Sequence, residues 1–183
     1  MGKIIFILGG SRSGKSSYAV KLAAKLSKDV LFVATAKPQD KEMQIRIKLH
    51  KKNRPSHWKT IEEPRSLGSV VKSVPKRFNL IVIDCLTLFI SNLLEEGFSD
   101  KDIEVKILLL LKMFKKSNFK SILVSNEVGL AIVPANPLAR RFRDLAGRIN
   151  QMVAKKADEV DFIVAGLPFS LKSLPVGKEV NDA

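Results

Sequence analysis

An open, mostly parallel α/β sheet with helices on both faces is what this sequence predicts, and three observations carry the prediction. The glycine-rich stretch Gly9-Gly10-Ser11-Arg12-Ser13-Gly14-Lys15-Ser16 follows directly on the apolar run at 4–8. Short runs rich in Val, Ile, Leu and Phe recur at 30–34, 80–83, 121–125 and 160–165, separated by segments with helical spacing. Runs that are continuous rather than alternating mark strands covered on both faces, as parallel sheets with crossover helices require. The run at 80–83 also ends on an acidic residue, Asp84, at the side of such a sheet where ligands sit.

Taken in order, residues 3–8 form the first strand. From Ser16 onward, Ala19, Leu22, Ala23 and Leu26 return at helical spacing and pack a helix on the sheet. Residues 30–34 form the second strand, and Thr35-Ala36-Lys37-Pro38 leaves it as a loop, which makes Ala34, Thr35 and Ala36 candidates for the nucleotide site. Asp40 is placed to N-cap a further helix, with Met43, Ile47 and His50 on one face and Ile45 and Leu49 on the adjoining one. Pro55 restricts Arg54 and ends that helix. A short extended piece at 58–61 precedes Glu62, Glu63 and Pro64, and a short helix follows at about 65–74. After the strand at 80–83, residues 86–94 are helical up to a break at Gly97.

Residues 102–114 form a helix whose apolar side chains cover most of its circumference. Only one side of a helix on an α/β core is ordinarily buried, so contact with a second subunit is one reading of this segment. The strand at 121–125 is left by Asn126-Glu127-Val128-Gly129 at its ligand-bearing end. Pro134 and Pro137 bracket the start of a long helix, with Leu138, Phe142, Leu145, Ile149 and Met152 on its buried face and Arg140, Arg141, Arg143 and Arg148 elsewhere. The strand at 160–165 is ended by Gly166 and Pro168, and the polar stretch from Ser170 adds an edge strand or frays. With neither an internal repeat nor an interdomain linker, residues 1–183 read as one domain.

The glycine-rich stretch fits G-x-x-x-x-G-K-[ST] in the strand, loop and helix order that gives the pattern meaning, and so predicts a P-loop. A triphosphate concentrates negative charge. Backbone N–H groups must wrap it closely, which favours Gly9, Gly10 and Gly14 where a Cβ would collide or φ is positive. Lys15 reaches the β- and γ-phosphates, and the Ser16 hydroxyl faces Mg²⁺. Asp84 holds Mg²⁺ directly or through water, or caps the next helix. The basic residues Lys48, Lys51, Lys52 and Arg54 contact phosphates or face solvent.

Composition narrows the setting. Hydrophobic residues make up 45 % of 183, enough for a core without disulfides. Cys85 is the only cysteine, which excludes a disulfide framework or thiolate cluster and fits a reducing, cytoplasmic location. The start Met1-Gly2-Lys3 leaves no room for a signal peptide, and the run at 107–111, stopped by Lys112, falls well short of the ~20 residues that cross a bilayer. No membrane insertion is expected. The formal net charge of +14 attracts anions of any class, but one Trp and one Tyr make no stacking platform, and no nucleic-acid partner is expected. From the residues alone, three functions compete: a small-molecule kinase or nucleotidyltransferase, a RecA-like DNA-stimulated ATPase or motor, and a nucleotide switch. The last lacks a guanine-reading Asn-Lys-x-Asp stretch.

Further motifs join the P-loop in order: Ala34-Thr35-Ala36, Glu42-Met43-x-x-Arg46-Ile47-x-x-His50, Arg54-Pro55-x-x-Trp58-x-Thr60-x-Glu62, Asn126-Glu127-Val128-Gly129-x-x-Ile132-Val133-Pro134, and Arg141-Phe142-Arg143-Asp144-x-x-Gly147-Arg148-x-Asn150-Gln151. Through about residue 172 the chain resembles the bifunctional adenosylcobinamide kinase/adenosylcobinamide-phosphate guanylyltransferases of cobalamin biosynthesis. The resemblance implies a P-loop NTPase-like, RecA-like fold and two reactions. The first passes a phosphoryl group from ATP or GTP to adenosylcobinamide. The second passes GMP from GTP through an enzyme histidine to adenosylcobinamide phosphate. His50 occupies the histidine position, with Lys15 assisting both steps, and Lys51, Lys52, Asn53, Arg54 and Glu62 resemble the guanine-nucleotide contacts. Trp58 lines the site or anchors its segment. Asp84 stands where some members carry Glu, and Leu49 where some carry a second histidine. A homotrimer with substrate clefts between subunits is also implied.

Overall fold

Five parallel strands follow from the five apolar runs. In a computed structural model that describes residues 2–38, 41, 44–45, 51 and 54–173, these are β1 (Ile4–Gly9), β2 (Val30–Ala34), β4 (Leu80–Asp84), β5 (Lys120–Asn126) and β6 (Glu159–Val164). The extended piece near 58 is β3 (Lys59–Glu62), a half-exposed edge strand parallel to β2. With β7 at Leu167–Lys172, the sheet order is β3-β2-β4-β5-β1-β6-β7, and β5 lies between β1, which leads into the glycine-rich loop, and the strand that ends in Asp84. Every residue of β1 and β2 is buried, as continuous apolar runs demand.

Helices cover both faces. On one, α1 (Lys15–Leu26) lays Ala19 and Ala23 against Ile5, Ile7, Val82 and Ile122. On the other, α2 (Leu67–Lys72), α3 (Leu86–Glu95), α4 (Asp100–Lys116) and α5 (Pro137–Lys156) pack over Ile4, Phe6, Ile81 and Leu123. Ser99 starts α4 two residues earlier than its apolar pattern predicts, through a capping box with Asp102. Of the predicted helix after Asp40, Lys41, Gln44, Ile45 and Lys51 are described and helical, whereas Met43, Ile47, Leu49 and His50 lie outside the described residues, as do the cap Asp40 and the tail from residue 174.

Three expectations need correction. The apolar girth of α4 is largely taken up within the chain: Ile103, Ile107, Leu110, Leu111 and Phe114 are buried, and only Val105 and Leu109 stand more than a third exposed. It packs beside α2, α3 and α5, so several of its sides are covered without a second subunit. On α5 the buried set is Leu145, Ala146, Ile149, Asn150 and Val153, whereas Leu138 in the first turn is 60 % exposed. The strand at 160–165 does end before Gly166 and an edge strand does follow, but that strand starts at Leu167 rather than Ser170 and takes in Pro168. Ala165 and Gly166, both at positive φ, form a two-residue hairpin turn into β7 (Leu167–Lys172), which runs antiparallel on the outer side of β6. Pro168 is tolerated because β7 is an edge strand with a free side.

Asp158, just before β6, accepts a 2.7 Å bond from the Ile4 N–H and pairs with Lys115 at the end of α4, joining helix to sheet. Burial alone would raise the Asp158 carboxyl, but the Ile4 N–H and Lys115 hold it below the usual carboxylate range. A depressed folded value means this stabilisation is complete above the unfolded value of about 4 and is lost as pH falls through the folded one. Asp158→Asn is therefore expected to destabilise the protein by roughly 1–2 kcal/mol at neutral pH. Thermal unfolding across pH checks this, and the gap to the unmodified chain should narrow only below about pH 4.

Candidate nucleotide site

The turn after β1 is shaped by contacts that exclude larger residues. A Cβ on Gly9 would lie 2.5 Å from Ser13 Oγ and 2.7 Å from the Ile163 carbonyl oxygen. Gly14 has φ 94°, a conformation side chains resist, and a Cβ there would come within 3.1 Å of Gly166 Cα. The Gly166 N–H donates to the Ser13 carbonyl at 2.9 Å, so the β6–β7 hairpin turn buttresses the loop. Gly10 meets nothing within 4 Å, and the protein's own packing does not require glycine there. Ser11 and Arg12 form the exposed tip, Arg12 at φ 58°.

Lys15 opens α1. Though a lysine, it is only 8 % exposed, and its Nζ donates to the Gly10 carbonyl at 3.0 Å, folded over the loop. No side chain caps α1 and no acidic residue occupies its first turn. The positive end of the helix, with Ser16 as its second residue, is left to an anion.

The ends of β2, β3 and β4 supply the opposite wall. Ala34 pairs in register with both Glu62 and Asp84. Thr35 is fully buried, and its hydroxyl both donates to the Cys85 carbonyl (2.7 Å) and accepts from the Cys85 N–H (2.8 Å), which pins the β2 loop to the start of α3. Ala36 follows half-buried. The Arg54 guanidinium stacks over Phe32, 3.8 Å from the ring centre. Burial lowers its pKa, and the neighbouring carboxylates of Asp84 and Glu62 act in the other direction. Trp58 is 7 % exposed and packs in the same core cluster as Phe32, anchoring its segment. Lys51 is exposed, and His50, Lys52 and Asn53 lie outside the described residues.

Asp84 and Lys15 share one neighbourhood. The Cys85 thiol is pushed up to about 11, by burial first and then by Asp84, while Lys15 opposes both. Among the described residues no group of three or more His, Cys, Asp or Glu side chains gathers to hold a metal. Ser16 and Asp84 do offer a hydroxyl and a carboxylate, hard oxygen donors of the type Mg²⁺ takes when phosphates and water complete its shell. These residues fit that ion.

At the ends of β4 and β5 runs a buried polar network that the sequence did not reveal. Thr87 Oγ1 and Ser125 Oγ lie 3.0 Å apart, Ser125 Oγ donates to Asn150 Oδ1 at 2.8 Å, and the Asn126 N–H donates to Thr87 Oγ1 at 2.6 Å. Asn150 Nδ2 donates to the Asn126 carbonyl at 3.1 Å and, more weakly, to Glu127 Oε2 at 3.4 Å. The one available signal was Asn150 on an otherwise apolar helix face. Arg141 and Arg148 are engaged with Asp100, and Arg148 with Glu104, joining α5 to α4.

Residues 5–171 match the family described as cobinamide kinase / cobinamide phosphate guanyltransferase. The bifunctional adenosylcobalamin biosynthesis protein CobP of Pseudomonas aeruginosa is 42 % identical over 93 % of this chain and 98 % of its own length. The corresponding CobU protein of Escherichia coli is 37 % identical over 92 % and 99 %. In structure, the KaiC-like protein PH0186 of Pyrococcus horikoshii superposes with a TM-score of 0.53 at 14 % identity, over 88 % of this chain and 70 % of that one, a likeness of fold.

Proposed function

The chain belongs to the cobinamide kinase / cobinamide phosphate guanyltransferase family, and on that premise we propose that it phosphorylates adenosylcobinamide with ATP or GTP and then guanylylates the product through His50. The observation that carries this reading is a P-loop with a buried Lys15 and an uncapped helix end, on the same side of the sheet as Asp84, whose carboxylate acts on Arg54 and Cys85, within a family match that spans almost the whole chain.

In the first reaction the P-loop N–H groups and Lys15 hold the phosphates, and the acceptor hydroxyl of adenosylcobinamide takes the terminal phosphoryl group. In the second, the His50 imidazole attacks the α-phosphorus of GTP and pyrophosphate leaves. The phosphate of the cobinamide then displaces the imidazole, giving adenosylcobinamide-GDP. Neutral imidazole suits the task, being nucleophilic near pH 7 and forming an intermediate reactive enough to pass the nucleotide on. Ser16 and Asp84 would hold Mg²⁺, which would supply charge stabilisation on the phosphates. Arg54 and Glu62, with Lys51, Lys52 and Asn53, bind the guanine nucleotide.

The partners are thus adenosylcobinamide and its phosphate, in the cytoplasm. No helix among the described residues is long and apolar enough to cross a membrane. A homo-oligomer, a trimer by family resemblance, also belongs to this reading. In support, apolar residues stand open at Leu130, Ile132 and Val133 and along Leu167, Phe169 and Leu171 of β7. Light scattering at assay concentration is expected to give a multiple of 20.3 kDa, and a monomer would end that part of the proposal.

The test of function supplies the purified protein with adenosylcobinamide, γ-labelled ATP and Mg²⁺, then with α-labelled GTP. Labelled adenosylcobinamide phosphate and then adenosylcobinamide-GDP are expected. NTP hydrolysis stimulated by DNA, with no label on the corrinoid, would favour the ATPase alternative.

A further inference from the structure

We propose that Glu127 is the proton acceptor of the phosphoryl-transfer step, a role that rests on the kinase reading above. Position is the first ground. Strand β5 lies between β1 and β4, Asn126 at its end pairs in register with Gly9, and the Glu127 N–H donates to the Gly9 carbonyl at 3.0 Å. Glu127 therefore leaves the sheet between the first P-loop residue and the strand of Asp84, on the side where the terminal phosphate of a P-loop nucleotide lies.

The second ground is how it is held. Glu127 Oε1 accepts from the Gly129 N–H at 2.8 Å, and Oε2 accepts the longer contact from Asn150. A Cβ on residue 129 would sit 2.9 Å from Oε1, which shows how closely the loop folds back onto the carboxylate. Asn150 is only 4 % exposed and is itself fixed by Ser125 and the Asn126 carbonyl. Polar groups are buried in this way at a cost unless each is satisfied, and here the chain of bonds ends on one carboxylate. No ion pair to Glu127 occurs among the described residues. Each of its oxygens keeps a lone pair for a further donor.

The third ground is chemical and separates the two reactions. The acceptor in phosphoryl transfer is a hydroxyl. As its oxygen bonds to the γ-phosphorus, the bond from that phosphorus to the β,γ-bridging oxygen breaks, the electron pair leaves with the nucleoside diphosphate, and the hydroxyl proton must go to a base. The nucleophiles of guanylyl transfer, a neutral imidazole and then a phosphate oxygen, carry no proton that has to be removed. A carboxylate beside the P-loop thus serves the first reaction and is idle in the second.

Glu127→Gln separates them, since the amide oxygen still accepts from Gly129. The expected result is a loss of about 10²-fold or more in phosphoryl transfer from γ-labelled ATP to adenosylcobinamide. Labelling by α-labelled GTP and transfer to adenosylcobinamide phosphate should stay within about threefold, by the proton argument above. If the Gln variant does not fold, Glu127→Asp, which keeps the charge but shortens the reach, is expected to lose about tenfold in the kinase step alone. Kinase activity within threefold of the unmodified chain, or parallel loss of both reactions, would overturn the assignment and leave Glu127 a structural residue. An unmodified protein that phosphorylates no cobinamide would instead sink the kinase reading itself, and this assignment with it.

Discussion

Replacing His50 by asparagine is expected to abolish covalent labelling of the protein by α-labelled GTP, a loss on the order of 10³-fold or more in guanylyl transfer. Asparagine keeps the polar character and much of the reach of the side chain but has no nucleophilic nitrogen, since its amide lone pair is delocalised. The P-loop, Lys15 and the β2 to β4 strand ends are untouched by the change, so GTP should bind with similar affinity. Phosphorylation of adenosylcobinamide needs no histidine and should remain within a few-fold. That split distinguishes a carrier of GMP from a residue that helps bind nucleotide, which would lower both reactions together. Label persisting on another residue would remove His50 from the mechanism.

Lys15→Ala is expected to lower both reactions, each by about 10²- to 10³-fold, the size seen when one charge-stabilising donor is taken from a phosphate or oxyanion site. The side chain is nearly buried and rests on the Gly10 carbonyl, folded over that loop. One loop holds the phosphates in either reaction, whether the group transferred is the terminal phosphoryl or the guanylyl. The effect should therefore be common to both, in contrast with the selective losses expected at His50 and Glu127. Loss of one activity with the other intact would mean that the two reactions use separate phosphate sites.

The sheet interior was legible because strands buried on both faces leave continuous apolar runs, as at 4–8, 30–34 and 80–83. Strand β7 was only half legible: an edge strand was one reading of the stretch from Ser170, but its residues are all exposed, and its start at Leu167 was hidden because Pro168, read as a terminator, is a tolerated edge-strand proline. Leu138 misled because helical periodicity says which side chains align, not how far along the helix the sheet reaches. The width of α4 misled similarly: a pattern cannot tell whether the layer on its far side comes from the same chain or another. In the site, the P-loop was readable from spacing alone, since its demands on glycine and lysine are local. The reason for Gly14 was only half readable, because its near contact is Gly166, far away in sequence. The Thr87–Ser125–Asn150 network left no periodic trace, since each member is a single polar residue within an apolar pattern and their relation exists only in the folded chain.

The central claim, that one imidazole carries guanylate between GTP and the cobinamide phosphate, is tested most directly by isolating the labelled protein. The protein is charged with α-labelled GTP and Mg²⁺, freed of nucleotide, divided for peptide mapping and chased with adenosylcobinamide phosphate alone. Acid-labile label is expected on the peptide that contains His50, with its transfer to adenosylcobinamide-GDP on the chase. Label on a different residue, or a bound label that does not chase while the enzyme turns over, would contradict it.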